Sequence, residues 1–279
     1  YKLLLLLYYQ ICKNHLMLTV VSENLQPFDK HAKEAFSLNE AALMNFLLKV
    51  TKTGAKYIDV NLGHLKKNKE KTVSFFIRSI EKYTNLDILI DSTDSEVIEI
   101  AINTASKKPI INGFSLEEKK VSQILPLAGR YDCHIIGLVM KDGYIPKELE
   151  EKLYLAEKMI NEAEKLNIDR SKIILDPIVA PLGWGDGVTH NKSNLEFIKL
   201  VPQVFGEEVK TICGLSNLTT TAAKGESKGS LQSIYLSMLY GAGIDMIMVD
   251  VFNDKVLNTI KFIQTLDEKR VFSFGDFVP

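Results

Sequence analysis

The chain is short of several things, and each shortage removes a class of function. It has three cysteines in 279 residues, Cys12, Cys133 and Cys213, far apart and without a C-x-x-C pair. An odd, scattered set builds no disulfide framework and points to reduced thiols in a cytoplasmic setting. The five histidines show no HExxH or other ligand spacing, so no protein-held metal is expected. Neither sign of charge is in excess: the formal net charge is −1, so no global field attracts nucleic acid or an anionic membrane. Long apolar runs are also missing. The longest, near the start of "YKLLLLLYYQICKNHLM" (1–17), is too short to span a bilayer. It follows a lysine, as in a signal peptide, but no small-residue cleavage site follows it. Residues 1–16 are therefore read as an N-terminal extension, non-native or disordered, ahead of one domain covering 17–279.

What is present is a regular alternation. Short β-branched runs occupy 18–22, 56–60, 87–91, 109–113, 134–139, 172–176, 210–214 and 245–250. Amphipathic helical patterns fall between and after them at 39–53, 69–83, 94–105, 116–129, 147–166, 192–202, 229–241 and 254–265. The clearest, "KELEEKLYLAEKMINEAEKL" (147–166), repeats apolar residues near a 3.6-residue period through Leu149, Leu153, Ala156, Ile160 and Ala163. The strand runs are nearly continuous in apolar character, which suits a parallel sheet buried on both faces. Eight βα repeats in about 260 residues fit a single-domain α/β fold, the (β/α)₈ TIM barrel. A doubly wound open sheet is the alternative.

In such a barrel the chemistry sits at the C-terminal ends of the strands. Those ends carry, in order, Glu23 and Asn24, Asp59 and Asn61, Asp91, Asn112, Met140, Asp176, Asn217 and Asp250. A single aspartate at such a place is usually a helix cap or a turn former. A ring of acids and amides is harder to explain so. Asp91, Asp176 and Asp250 directly follow apolar residues within the strand pattern, where a buried carboxylate needs a partner. A ligand rich in N–H donors would provide one. Proline after Asp176, in "LDPIVAP" (175–181), ends that strand's ladder at the acid itself. No lysine ends a strand, which counts against Schiff-base chemistry. "GWGDG" (183–187) is read as a mobile loop rather than a dinucleotide loop. Its Trp184, the only tryptophan, either packs on a ligand or partner or caps its own loop.

The ordered series "IDVNLG" (58–63), "LIDST" (89–93), "PIINGFS" (109–115), "IIGLVM" (135–140), "ILDPIVAPL" (174–182) and "ICGLSN" (212–217) resembles the methyltetrahydrofolate:corrinoid protein methyltransferases. These share a pterin-binding barrel with dihydropteroate synthase and with the folate module of cobalamin-dependent methionine synthase. The resemblance runs from about residue 17 to the C-terminus. It implies that Asp91, Asn112 and Asp176 hold the pterin. Asp59 and Asn61 would support the floor of the site, and Gly214 and Ser216 would line it. Asn217 would contact N5 and assist catalysis. It also implies methyltetrahydrofolate or tetrahydrofolate as substrate, a corrinoid (cobalamin) carried by a separate corrinoid protein, and a homodimer.

The chemistry of these residue types agrees. A pterin presents a 2-amino group beside N3–H, a donor pair that one carboxylate accepts bidentately. Loss of a methyl group from a tertiary amine needs charge stabilisation at nitrogen as the bond breaks, which an amide donor can supply. The chain departs from the resemblance at Thr219-Thr220, at "GSLQSIYL" (229–236), which lacks an expected arginine, and at "ING" where "INS" is commoner. Two other functions compete. Dihydropteroate synthase chemistry needs cations near strands seven and eight to clamp a leaving pyrophosphate, and here those places read "GLSN" and "MVDVFND". A non-catalytic barrel that only docks a corrinoid carrier is the other.

Overall fold

A computed structural model describes residues 18–220 and 226–267. The expected extension, 1–16, lies outside the described residues. Eight strands form a closed parallel barrel in chain order: β1 (Thr19–Leu25), β2 (Tyr57–Asn61), β3 (Asp87–Asp91), β4 (Ile110–Phe114), β5 (Ile135–Leu138), β6 (Ile173–Asp176), β7 (Lys210–Gly214) and β8 (Met246–Val249). β8 pairs with β1 and closes the ring, which rules out the open sheet.

Helices alternate with the strands: α1 (Glu40–Thr51), α2 (Lys69–Tyr83), α3 (Ser95–Thr104), α4 (Glu118–Gln123), α5 (Leu125–Tyr131), α6 (Leu149–Lys165), α7 (Gly187–Val204), α8 (Glu226–Ala242) and α9 (Asp254–Asp267). The entry signals act as expected for α1 and α3. Asn39 accepts a hydrogen bond from the Ala42 amide at 3.1 Å, and Asp94 from the Glu96 amide at 3.0 Å. No described helix is long and apolar enough to cross a membrane.

Two helices differ from the sequence reading. The single helix expected at 116–129 is split at Ile124, where Pro126 opens the second piece. Proline cannot donate into a continuing ladder, and its ring favours the first turn of a new helix. The helix expected from 192 begins at Gly187, inside the stretch read as a loop. A Cβ on Gly187 would fall 2.2 Å from the Pro181 carbonyl oxygen, so glycine lets the helix start against that loop. Trp184 stays part-exposed and meets His190 of this helix edge-on, with ring centroids 6.0 Å apart.

The core has two layers. Val21, Leu89, Ile110, Ile136, Ile174, Ile212 and Met246 fill the barrel interior. Their chain neighbours Val20, Ile90, Ile111, Ile135, Leu175, Cys213 and Ile247 pack outward against the helices. Side chains alternate along a strand, so the residue two after each interior position also points inward, one level higher. Those residues are Glu23, Asp91, Asn112, Leu138, Asp176, Gly214 and Met248. On β2 the same parity runs Tyr57, Asp59, Asn61. The apolar plug thus ends where the acids and amides begin.

Candidate active site at the barrel mouth

Three strands build one wall. Register places Asn61, Asp91 and Asn112 side by side across β2, β3 and β4. The Asn61 side-chain amide donates to Asp91 at 2.7 Å, and the Asn112 amide donates to Asp59 at 3.1 Å. Asp59 is almost fully buried, beneath the rim. Each amide holds one carboxylate and keeps a second N–H to offer; the Asn61 carbonyl oxygen accepts the Gly63 amide at 3.0 Å, which leaves the Asn112 oxygen to face the mouth. Burial pushes the Asp59 carboxyl well above the usual range, and the Asp91 charge adds to the push. Burial also raises Asp91, against the pull of Asn61 and Lys120. The wall therefore holds carboxyls with few donors of their own, an environment that favours a ligand bringing N–H groups. The chain turns closely here. A Cβ on Gly113 would meet the Ile136 carbonyl oxygen at 2.5 Å, so the "ING" in this sequence fits a place where no side chain fits.

Across the mouth, Asp176 ends β6 in a separately braced loop. Its carboxylate accepts the Ile178 amide at 2.8 Å, and its backbone carbonyl accepts the Val139 amide at 2.8 Å. Ile178 holds a φ of +63°, a conformation costly for a β-branched residue and maintained only by its surroundings. Those surroundings are specific. Asn194 donates to the Ile178 carbonyl at 2.9 Å, and Asn191 both donates to the Ala180 carbonyl and accepts from its amide. The Tyr235 hydroxyl donates to the Asn191 carbonyl at 2.9 Å, and Lys152 donates to the Pro177 carbonyl at 3.3 Å. Burial pushes Asp176 up to about 7.

The third side joins β7 to β1. After Gly214 the chain turns through Leu215–Thr219, and Ser216 donates to Glu23 at 3.0 Å. Burial pushes Glu23 up to about 7, with Asp250 and Asp29 adding to the shift. Asn217 follows, exposed, its amide nitrogen over Gly214: a Cβ on that glycine would lie 3.6 Å from it. Beside this turn, Asn24 donates to both Asp29 and Asp250 at 2.8 Å.

The structure thus joins Asn61 to Asp91 and Asn112 to Asp59 in two adjacent hydrogen-bonded pairs on one wall. Asp176 stands on the same inward rim, and Gly214, Ser216 and Asn217 close the ring from β7. Sequence reading placed Glu23 on the rim but gave it no role, although it lies two residues after the interior Val21. It also passed over Asn191, Asn194, Tyr235 and Lys152, which brace Asp176 from the helices. Only Lys152 left a local trace, as a cation on the apolar stripe of its helix, three residues after Leu149 and four before Ala156.

Residues 24–250 match the pterin binding enzyme family. Over 186 residues the chain is 26% identical to a methylcorrinoid:tetrahydrofolate methyltransferase of Eubacterium limosum, covering 65% of this chain and 66% of that protein, just under two thirds of its length. It is 21% identical over 218 residues to the methionine synthase of Mycobacterium leprae, covering 75% of this chain but 18% of that larger protein. Among solved structures, dihydropteroate synthase from Stenotrophomonas maltophilia shares the fold at a TM-score of 0.69 and 16% identity, covering 92% of this chain and 96% of that one. The family match takes in every strand-end acid and amide from Asn24 to Asp250, and the chain belongs to the pterin binding enzymes.

Proposed function

We propose that the protein is a methyltransferase that moves the N5-methyl group between methyltetrahydrofolate and the Co(I) corrinoid of a separate corrinoid protein. The observation that carries this reading is the inward ring of acids and amides joined to an exposed asparagine at its edge, in a chain similar to a methylcorrinoid:tetrahydrofolate methyltransferase. Asp176 accepts the pterin's 2-amino and N3–H donors, and Asp91 and Asn112 hold the ring's other edge. Asp59 and Asn61 fix those two side chains from below and beside. Gly214 leaves room over the ring, and Ser216 donates to Glu23 at the same edge.

Asn217 is the catalytic residue in this proposal. Its amide N–H meets N5 as the carbon–nitrogen bond breaks and charge collects on nitrogen, so the interaction strengthens in the transition state. N5 ends the reaction protonated. Glu23, bonded to the adjacent Ser216, is an acid that burial keeps protonated up to about pH 7. The partner's corrinoid, when docked at the mouth, supplies the methyl-exchanging cobalt. The chain's own work is to bind, orient and stabilise. The same reading makes the protein a cytoplasmic homodimer.

The test mixes the protein with methyltetrahydrofolate and free Co(I) cobalamin and follows the Co(I) absorbance. Loss of that band at a rate proportional to enzyme supports the proposal. A stable band, together with no binding of methyltetrahydrofolate, overturns it.

A further inference from the structure

Lys152 is fully buried, at 0% exposure, on the inner face of α6. A lysine is almost never so placed without a compensating charge. Its ammonium donates to the carbonyl of Pro177, the residue following Asp176. The groups that interact with it from the surrounding elements are the Asp176 carboxyl on β6, the Cys213 thiol on β7 and His190 on α7. Burial raises the thiol, which keeps it neutral, and burial together with Lys152 itself disfavours a charge on His190. Of these three, Asp176 is the group that ionises to an opposite charge near neutral pH.

We propose that Lys152 is a positioning residue for ligand binding: it fixes the Pro177 carbonyl and places a buried positive charge behind Asp176 that favours its carboxylate form. The assignment of that carboxylate to a pterin rests on the function proposed above. The geometry explains two features of the "LDPIVAP" loop together. Proline at 177 leaves a carbonyl with no competing N–H of its own to place, and the ammonium takes that carbonyl from the helix side. Asp176 can then face the barrel mouth while its countercharge stays behind it, out of the ligand's way. The influence is mutual. The Ile178 amide and then Lys152 draw Asp176 down from the value burial alone would impose, and Cys213 and Asp176 hold up a lysine that burial pushes down to about 8.

The direct test follows the Asp176 carboxyl by carbon NMR across pH in the ligand-free wild type, Lys152→Met and Lys152→Arg. The midpoint is expected to rise by about one pH unit in Lys152→Met and to return towards wild type in Lys152→Arg. Coincident midpoints in all three proteins overturn the proposal, because a lysine that merely fills space would not move a carboxyl titration. The reciprocal measurement covers the case in which Lys152→Met fails to fold. The Lys152 ammonium is titrated in Asp176→Asn, where a fall in its midpoint supports the pairing and an unchanged midpoint refutes it. Binding of 5-methyltetrahydrofolate across pH then separates the two readings. If the titrations shift but wild type binds no folate, the pairing stands and the pterin reading falls. If wild type binds folate and the titrations coincide, the pterin reading stands and Lys152 loses its role.

Discussion

Asp87 and Asp91 begin and end the same strand, four residues apart, and they live in opposite electrostatic worlds. At the lower end Asp87 pairs with Lys107 at 3.0 Å, and its neighbours follow suit. Asp132 takes Lys108 and Lys172, and Asp245 takes Lys210. The two lysines beside Asp132 hold its carboxyl below the usual range. At the upper end Asp91 takes an amide, Asp59 takes another, and Asp176 takes a backbone N–H. There burial wins and the carboxyls are pushed up. One rim satisfies its acids with cations from the chain, as a stabilising face does. The other leaves its acids short of donors, at a cost in stability, and so able to gain from a ligand.

The comparison breaks most readily at the upper rim. Asn217→Ala is expected to slow methyl transfer to Co(I) cobalamin by roughly 10²–10³-fold while binding of methyltetrahydrofolate changes little, because the lost interaction forms mainly in the transition state. Stopped-flow absorbance with a separate binding titration measures both. Asp176→Ala is expected to weaken folate binding by about 10²-fold, the value of a charge-assisted donor pair, as read by calorimetry.

A smaller effect comes from pH. The acceptor form of Asp176 is the carboxylate, and its midpoint stands at about 7. Folate affinity should therefore rise with pH to a plateau above neutrality and fall by about tenfold per pH unit well below it. Binding near pH 7 should release protons, which calorimetry in buffers of different ionisation enthalpy detects.

Glu23 tests the same cost on stability. Its carboxyl is raised from 4.5 to about 7, so the folded state holds the proton more tightly than the unfolded chain. The stability this contributes is full below about pH 4.5 and is lost as pH rises through about 7. Glu23→Gln should accordingly melt a few degrees above wild type at pH 8 and lose that advantage at pH 5. At the other rim, Asp87→Ala should leave folate binding unchanged and alter stability by less than about 1 kcal/mol, since its lysine partner is largely exposed.

Much of the architecture was readable because it is local. The β-branched runs and the 3.6-residue stripes sit within single segments, and all eight strands fall within a few residues of their expected places. The inward placement of Asp91, Asn112 and Asp176 at the upper rim was readable for a related reason: each ends an apolar run. The helix at Gly187 was misread because glycine there answers to Pro181 across a loop, a contact that periodicity does not contain. Asn191 and Tyr235 were invisible for the same reason, since their partners lie 11 and 44 residues away.

The sequence by itself determined the alternation of strands and helices, the two-residue parity that turns acids inward, and the places where each strand stops. Those follow from backbone periodicity and proline chemistry alone. Only the tertiary structure decided which acid meets an amide, which meets a cation, and which is left wanting. Closure of the barrel sets distances between side chains far apart in the chain, and burial then sets the strength of every charge it encloses.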